Sequence, residues 1–379
     1  MTSGRTDIVI IGAGAVGCAI GRELSNHYPK KSIAIIEKLS GACLETSGKS
    51  SEVLHDGLHQ NPDFLKSKLV LRGNKMAKEY IKRKGLEMLE CGMMVAVPWE
   101  SVGFGLWRET SSFLGLVSRA RKQKVDIELL SPWRIHELEP DIKAAFGVFV
   151  PGVCVINAPQ FVNEMKKDAE KNGAKFHFNT TVKNIYRGQN EYIVETSRGN
   201  FRAGAIINAA GLYADDIARM AGFSQYKIYP WRGEYYEIIG EKASLVRRLI
   251  YPVVPHNSPG KGIHFSPRVD GKLFIGPNAK LVPRKDYYEE DKTPVEEFLK
   301  SVQRFLPQLN AKDLRYGYSG IRAKTTNKQE ETDFEINLDC VDPPFINHIG
   351  IESPGLSACM GIAELDREIL ERTNPYVYA

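Results

Sequence analysis

The run Gly12-Ala13-Gly14-Ala15-Val16-Gly17 constrains this chain more than any other feature. It follows the unbroken apolar stretch 8–11, which reads as a buried parallel strand, and it opens the helix-like stretch 15–24. In a strand–turn–helix of this G-x-G-x-x-G type each glycine has its own task. Gly12 permits the tight turn, Gly14 lets a pyrophosphate approach the backbone, and Gly17 lets helix and strand pack closely. The helix N-terminus adds N–H donors and the positive end of a dipole. Residues 32–37 form a second buried strand and complete a βαβ unit of about thirty residues. The last of them, Glu37, lies twenty positions after Gly17 and can accept hydrogen bonds from both hydroxyls of a ribose. A glycine-rich turn alone does not account for that acid. Strand, helix and acid in register specify a dinucleotide site.

The rest of the chain divides around this unit. Buried strands recur at 205–208, ending in Ala209-Ala210-Gly211, and at 345–351, followed by a helix over 357–372. Further helices are expected at 61–85, 110–124, 132–139, 159–173 and 294–305. Residues 226–275 instead alternate and turn often, at Arg232-Gly233, Pro259-Gly260 and Asp270-Gly271, which is the pattern of an antiparallel sheet. With 379 residues, 42% of them hydrophobic, the chain has room for two cores and needs no disulfide staple. The expected class is α/β: a doubly wound, Rossmann-like domain built from 1–85, 150–222 and 312–379. It is interrupted by an α+β substrate domain from 86–149 and 223–311, whose sheet is mostly antiparallel.

The sequence also selects the dinucleotide. Glu37-Lys38 leads into the loop Thr46-Ser47-Gly48-Lys49-Ser50-Ser51. Lys38, Thr46, Ser47 and Ser51 can donate to a diphosphate and to a flavin edge. No second G-x-G-x-x-G exists for a nicotinamide dinucleotide. FAD as the sole redox cofactor is the expectation, with reducing equivalents arriving from a small substrate.

Six ordered blocks extend this reading: the glycine motif, E-T-S-G-K-S-S-E-V-L-H-D-G-L-H (45–59), R-G-E-Y-Y (232–236), G-I-H-F-S-P-R-V-D-G-K-L-F-I-G-P-N-A (262–279), S-G-I-R (319–322) and G-I-E-S-P-G-L-S (350–357). In these the chain resembles the FAD-dependent D-amino-acid-oxidase-like superfamily, and within it the L-2-hydroxyglutarate dehydrogenases. The resemblance implies oxidation of a 2-hydroxy acid, L-2-hydroxyglutarate to 2-oxoglutarate, with hydride passing to flavin N5. His55 matches the position over the flavin ring and is the expected base, since a neutral imidazole suits that task near operating pH. His264 is the rival base or a substrate hydrogen-bonding group. Arg322 and then Arg232 are the expected carboxylate forks. Tyr235 or Tyr236 completes that shell, because only one of two strand neighbours faces a pocket. Gly350 and Gly355 would bring backbone near the flavin. Leu356 and Ser357 open a helix whose positive end faces it. Val182 matches a position whose backbone meets adenine, and Gly211 matches a glycine lying against the cofactor. Flavin-dependent glycerol-3-phosphate oxidases and dehydrogenases share the first and last blocks and form the alternative, although they generally lack the histidine present here as His264. An amino-acid oxidase is a more distant option.

Other features bear on partners and compartment. Lys+Arg exceed Asp+Glu by five, too few to argue for nucleic acid. The six cysteines contain no C-x-x-C pair and suit neither metal ligation nor a disulfide framework, so a reducing intracellular compartment and no bound metal are expected. The longest apolar run, 8–20, spans 13 residues and is too short to cross a bilayer, and the lead 1–7 does not resemble a secretory segment. Two basic stretches stand out: the helix with Lys66, Lys68, Arg72 and Lys75, which reads as a solvated face, and the segment 101–125. The latter departs from the resemblance by being apolar and basic, with Phe104, Leu106, Trp107, Phe113 and Leu114 ahead of Arg119, Arg121, Lys122 and Lys124. Such a segment can touch an anionic membrane surface peripherally. A quinone or another carrier is the expected electron acceptor.

Overall fold

The computed structural model describes residues 5–101, 106–254 and 262–373. Phe104 and the expected turn at Pro259-Gly260 lie outside the described residues, as do the side chains of Leu106 and Trp107.

The opening strand Arg5–Ile11 sits in the middle of an eight-stranded sheet. Gly199–Asn208 pairs with it on one side and Ile33–Ile36 on the other, both parallel. Because strand side chains alternate, Ile8 and Ile10 enter one core with the helix Ala15–His27, while Val9 and Ile11 enter a second core with Ile217 on the opposite face. Burial on both faces is why the strand is apolar without interruption. Ile20 and Leu24 of the helix are fully buried, each contributing about 1.5–3 kcal/mol by leaving water. Gly17 is obligatory at this crossing, since a Cβ there would stand 1.9 Å from the Gly12 carbonyl oxygen. Lys175–His177 extends the parallel sheet beyond Ile33–Ile36, and Pro344–Ile349 pairs parallel with Gly199–Asn208 at the other side. The final helix Gly355–Thr373 then packs against Ala15–His27 and against Leu65–Lys84.

The second layer is a nine-stranded sheet running from Lys280–Leu281 through Tyr229–Ile238, Leu273–Gly276, His264–Pro267, Leu249–Pro252, Met93–Pro98 and Ala144–Val150 to Glu128–Leu130. It is antiparallel except where Leu249–Pro252 meets Met93–Pro98. Its helices, including Val295–Gln303, bury Phe298, Val302 and Phe305 against one face. Val53–Leu54, Met88–Leu89 and Cys154–Ile156 make a third, small sheet.

Two expectations are corrected here. Leu314–Lys324, assigned from sequence to the nucleotide-binding portion, pairs along its length with Tyr229–Ile238 and so belongs to the antiparallel sheet. Its mixture of tyrosine, glycine and arginine carries no mark of either sheet. Lys66, read as part of a solvated face, is buried and ion-paired to Glu331 at 3.4 Å. The basic segment is the helix Leu106–Gln123, and its Leu116 and Ala120 pack in a core with Val95, Val97 and Tyr251. Among the described residues no helix is long and apolar enough to cross a membrane.

Candidate active site

A groove runs along the C-terminal ends of the parallel strands. It is lined by Gly12, Gly14, Glu37, Lys38, Thr46, Ser47, Val182 and Gly211, among others. Glu37 is held rigidly in it: one carboxylate oxygen accepts from the Ala13 N–H at 2.8 Å, the other from Leu39 N–H at 2.9 Å. Each oxygen keeps a further lone pair for a ribose hydroxyl. Lys38 donates to Glu45 at 2.9 Å and lies over the Tyr213 ring at 3.4 Å.

The helix at the head of the groove begins at Gly14 with no side-chain cap and no acid in its first turn. Its positive end is thus left for an anion. Ser47 Oγ accepts from Ala15 N–H at 3.0 Å, which fixes the loop beside that end. The acid-free helix start, the bare Gly14 backbone and the anchored acid fit the phosphates and ribose of FAD.

A second cleft continues from the groove, sharing Ala15, Val16, Thr46, Ser47 and Ile351 with it. Into it point His55, His264, Tyr235, Arg322 and Ser51, with Gly355 and Leu356 at its edge. The loop that forms the seam is tied to the antiparallel sheet. Thr46 Oγ1 donates to the Ile321 carbonyl at 3.0 Å, and a Cβ at Gly320 would stand 2.2 Å from the Lys49 carbonyl oxygen. Gly320 therefore lets the strand carrying Arg322 come against the loop.

The rings in the cleft are ordered around Tyr251. The His264 ring stacks on it with centroids 3.7 Å apart, His55 meets it edge-on at 6.3 Å, and His59 lies at 5.6 Å. His264 Nδ1 stands 2.9 Å from the Gly262 carbonyl. Full burial holds the Tyr251 hydroxyl well above its ordinary pKa, so the phenol stays neutral. The His55 segment is fixed by Asn74, which donates to the Leu54 and His55 carbonyls at 3.2 and 2.9 Å. Tyr235 stacks on Tyr318 with centroids 4.5 Å apart, and burial raises its pKa in the same way.

Strand parity separates neighbours that the sequence could not separate. Gly233 and Tyr235 line the cleft, whereas Arg232, Glu234 and Tyr236 face away. Arg232 is fully buried and serves the fold. It pairs with Glu234 at 3.4 Å and donates to the carbonyls of Glu290 and Asp291. Its expected substrate role is therefore corrected. Tyr236 packs on Phe298 and donates to the Thr293 carbonyl. Gly233 has a different use: a Cβ there would lie 3.0 Å from Arg322 Nη2, so the glycine makes room for the guanidinium.

Two further expectations change. Gly350 adopts a positive φ of 70°, but the atom its missing Cβ avoids is Thr325 Cγ2, and it does not line the cleft. Ser357 is fully buried and accepts from the His55 N–H at 2.8 Å, so it holds the His55 backbone in place.

Some residues in or behind the cleft carried no usable signal. Tyr251 sits in an unremarkable apolar strand. Arg119 comes from the apolar and basic segment 101–125, where it had no assigned task. Arg268 lies within the 262–279 block but had no assigned task. It is buried, pairs with Glu52 at 3.0 Å, and donates to the Ser50 and Ser51 carbonyls and to the Tyr318 hydroxyl. It thereby clamps the loop between the two sheets.

The geometry agrees with what the chain is similar to. The family described as FAD dependent oxidoreductase matches residues 7–366. L-2-hydroxyglutarate dehydrogenase of Escherichia coli is 27% identical over 356 residues, covering 85% of this chain and 83% of that protein. The mitochondrial L-2-hydroxyglutarate dehydrogenase of Caenorhabditis elegans is 28% identical, covering 95% and 92%. Among solved structures, the dithionite-reduced L-alpha-glycerophosphate oxidase of Mycoplasma pneumoniae with FAD bound superposes with a TM-score of 0.87 at 26% identity, covering 97% of this chain and 95% of that one.

Proposed function

We propose that this chain, which belongs to the FAD-dependent oxidoreductase family, oxidises an α-hydroxy acid at its CH–OH carbon, with L-2-hydroxyglutarate as substrate and 2-oxoglutarate as product. One observation carries this reading: His55, His264, Tyr235 and Arg322 line a single cleft that runs into the groove for the cofactor. FAD, when bound, supplies the hydride acceptor.

The chain's own residues bind, orient and manage the proton. Arg322 grips the carboxylate beside the reacting carbon through its planar fork. The neutral Tyr235 hydroxyl donates to the same group. His55 takes the hydroxyl proton as the C–H bond is broken, a task suited to an imidazole. His264, held flat on Tyr251, hydrogen-bonds the substrate and fixes its face. The helix Gly355–Thr373 directs its positive end at the cleft and favours negative charge there.

Onward transfer to a quinone or another carrier completes turnover. Cytoplasmic work with a loose, salt-sensitive contact to an anionic membrane belongs to the same reading, and sedimentation with anionic vesicles at low salt tests it. A second reading, glycerol 3-phosphate as substrate with His55 in the same role, is supported by the similarity to the glycerophosphate oxidase.

The deciding experiment is anaerobic. The oxidised, yellow protein is mixed in turn with L-2-hydroxyglutarate, glycerol 3-phosphate and amino acids. Bleaching by L-2-hydroxyglutarate is expected. Bleaching by glycerol 3-phosphate alone would replace the first reading by the second.

A further inference from the structure

The helix Leu106–Gln123 forms one wall of the cleft. Ser112, Leu116 and Arg119, spaced at i, i+4 and i+7, all line it. The helix is locked in place from both ends of this stretch. Phe113 packs edge-on against Phe146 at 5.1 Å. Gln123, one turn beyond Arg119, donates to the carbonyls of Gly57 and Gln60 at 3.1 and 3.2 Å and accepts from Ser67 Oγ at 2.5 Å. The wall is therefore tied to the loop that follows His55.

The cations of the cleft differ in what already satisfies them. Lys66 is paired with Glu331 and Glu352 at 3.4 and 4.0 Å, and Lys324 with Glu352 at 3.8 Å. Lys49 lies over the Tyr288 ring at 3.6 Å. Arg119 and Arg322 have no carboxylate within 4.0 Å among the described residues. Arg119 Nε is moreover buried with no hydrogen-bond partner among them. Burial lowers the Arg119 pKa, and Glu331 is the acid that offsets this. A guanidinium remains charged under such conditions. A half-buried charge whose nearest acid stands beyond ion-pair distance and is paired with Lys66 is costly, and an anion in the cleft would relieve it.

The two guanidiniums stand at different places. Arg322 lies beside Gly233, donates weakly to the Asn278 carbonyl at 3.4 Å and influences the Tyr235 and Tyr251 hydroxyls electrostatically. Arg119 lies on the helix wall, with Glu331 as the one acid acting on it. We infer that Arg119 binds the second carboxylate of the substrate, the one remote from the reacting carbon, so that the cleft selects dianionic 2-hydroxy acids. The inference rests on the proposed hydroxy-acid oxidation and adds to it the residue that reads chain length and charge.

The test uses the FAD-loaded enzyme and two acids that cannot be oxidised, glutarate and butyrate, whose binding is followed by perturbation of the flavin spectrum. Wild type should prefer glutarate. In Arg119→Gln that preference should fall roughly ten- to a hundred-fold, the worth of a hydrogen bond to a charged group. Arg119→Lys should restore part of it. Flavin content and melting temperature identify any variant that has misfolded. Equal affinity of wild type for the two acids, or glutarate binding to Arg119→Gln at wild-type strength, would overturn the inference. If wild type binds glutarate selectively yet L-2-hydroxyglutarate does not bleach it, the oxidation reading fails while the dicarboxylate site stands.

Discussion

Ser357 Oγ accepts a hydrogen bond from the His55 backbone N–H at 2.8 Å, across 302 positions of sequence. It joins the first turn of the last helix to the residue best placed to act as base. Replacing Ser357 by Ala strands that buried N–H, which costs about 1–3 kcal/mol. The Ser357→Ala protein should keep its flavin but be reduced more slowly, because His55 is no longer held. Unchanged reduction kinetics in a variant of lowered melting temperature would separate the bond from catalysis.

His55→Gln should retain FAD and lose roughly a hundred- to ten-thousand-fold in the rate of flavin reduction, the usual worth of a positioned base. Anaerobic stopped-flow mixing reads this directly. A variant reduced at the wild-type rate would pass the role to His264.

Arg322 and Arg232 should fail in different ways. Arg322→Gln should raise the substrate concentration needed for half-maximal reduction, with little change in melting temperature. Arg232→Gln leaves Glu234 fully buried without its cation, and breaking a buried pair costs about 3–5 kcal/mol. Its effect should therefore appear in chemical denaturation. A large affinity loss without destabilisation in Arg232→Gln would return that arginine to the substrate.

The glycines of the opening motif should separate folding from cofactor binding. A Cβ at position 17 meets the Gly12 carbonyl oxygen at 1.9 Å, whereas one at position 14 meets only Ser47 Oγ at 3.1 Å. Gly17→Ala should thus destabilise the fold by at least about 1–3 kcal/mol. Gly14→Ala should fold and instead hold FAD weakly, because the methyl group occupies the phosphate approach. Gel filtration followed by flavin absorbance checks both; a fully yellow Gly14→Ala protein would argue against that approach.

His348 bridges the nucleotide-binding sheet to the last helix. Its Nδ1 faces the Asn208 carbonyl at 3.1 Å and its Nε2 faces Asp366 at 2.9 Å. Burial opposes charge on the ring, but Asp366 and the Asn208 carbonyl outweigh it and raise the pKa above the ordinary 6.5. A histidine with a raised folded-state pKa stabilises fully below its unfolded value, and that contribution is lost as pH rises through the folded value. Asp366→Asn should therefore cost most in mildly acidic solution and progressively less on the alkaline side. Denaturant unfolding across that range measures it, and a penalty independent of pH would mean the ring is neutral throughout.

Local chemistry made the cofactor half readable in advance. Gly12, Gly14, Gly17 and Glu37 act through backbone conformation and fixed spacing, and both are written along the chain. His55 and Arg322 of the cleft were legible as residue types within motifs, and Tyr235 could be narrowed to one of two neighbours. What remained hidden depends on partners far apart in sequence. Arg232 could be recognised as structural only once Glu234 and the carbonyls of Glu290 and Asp291 surrounded it. Lys66 looked like a solvated charge, and Arg119 like part of a segment able to touch a membrane surface, until packing of their helices carried both into the cleft, one matched to acids and the other not. Propensity and periodicity specify which face of an element is apolar. Which surface that face meets, and which charge is thereby stripped of water, is decided only when the two sheets close on each other.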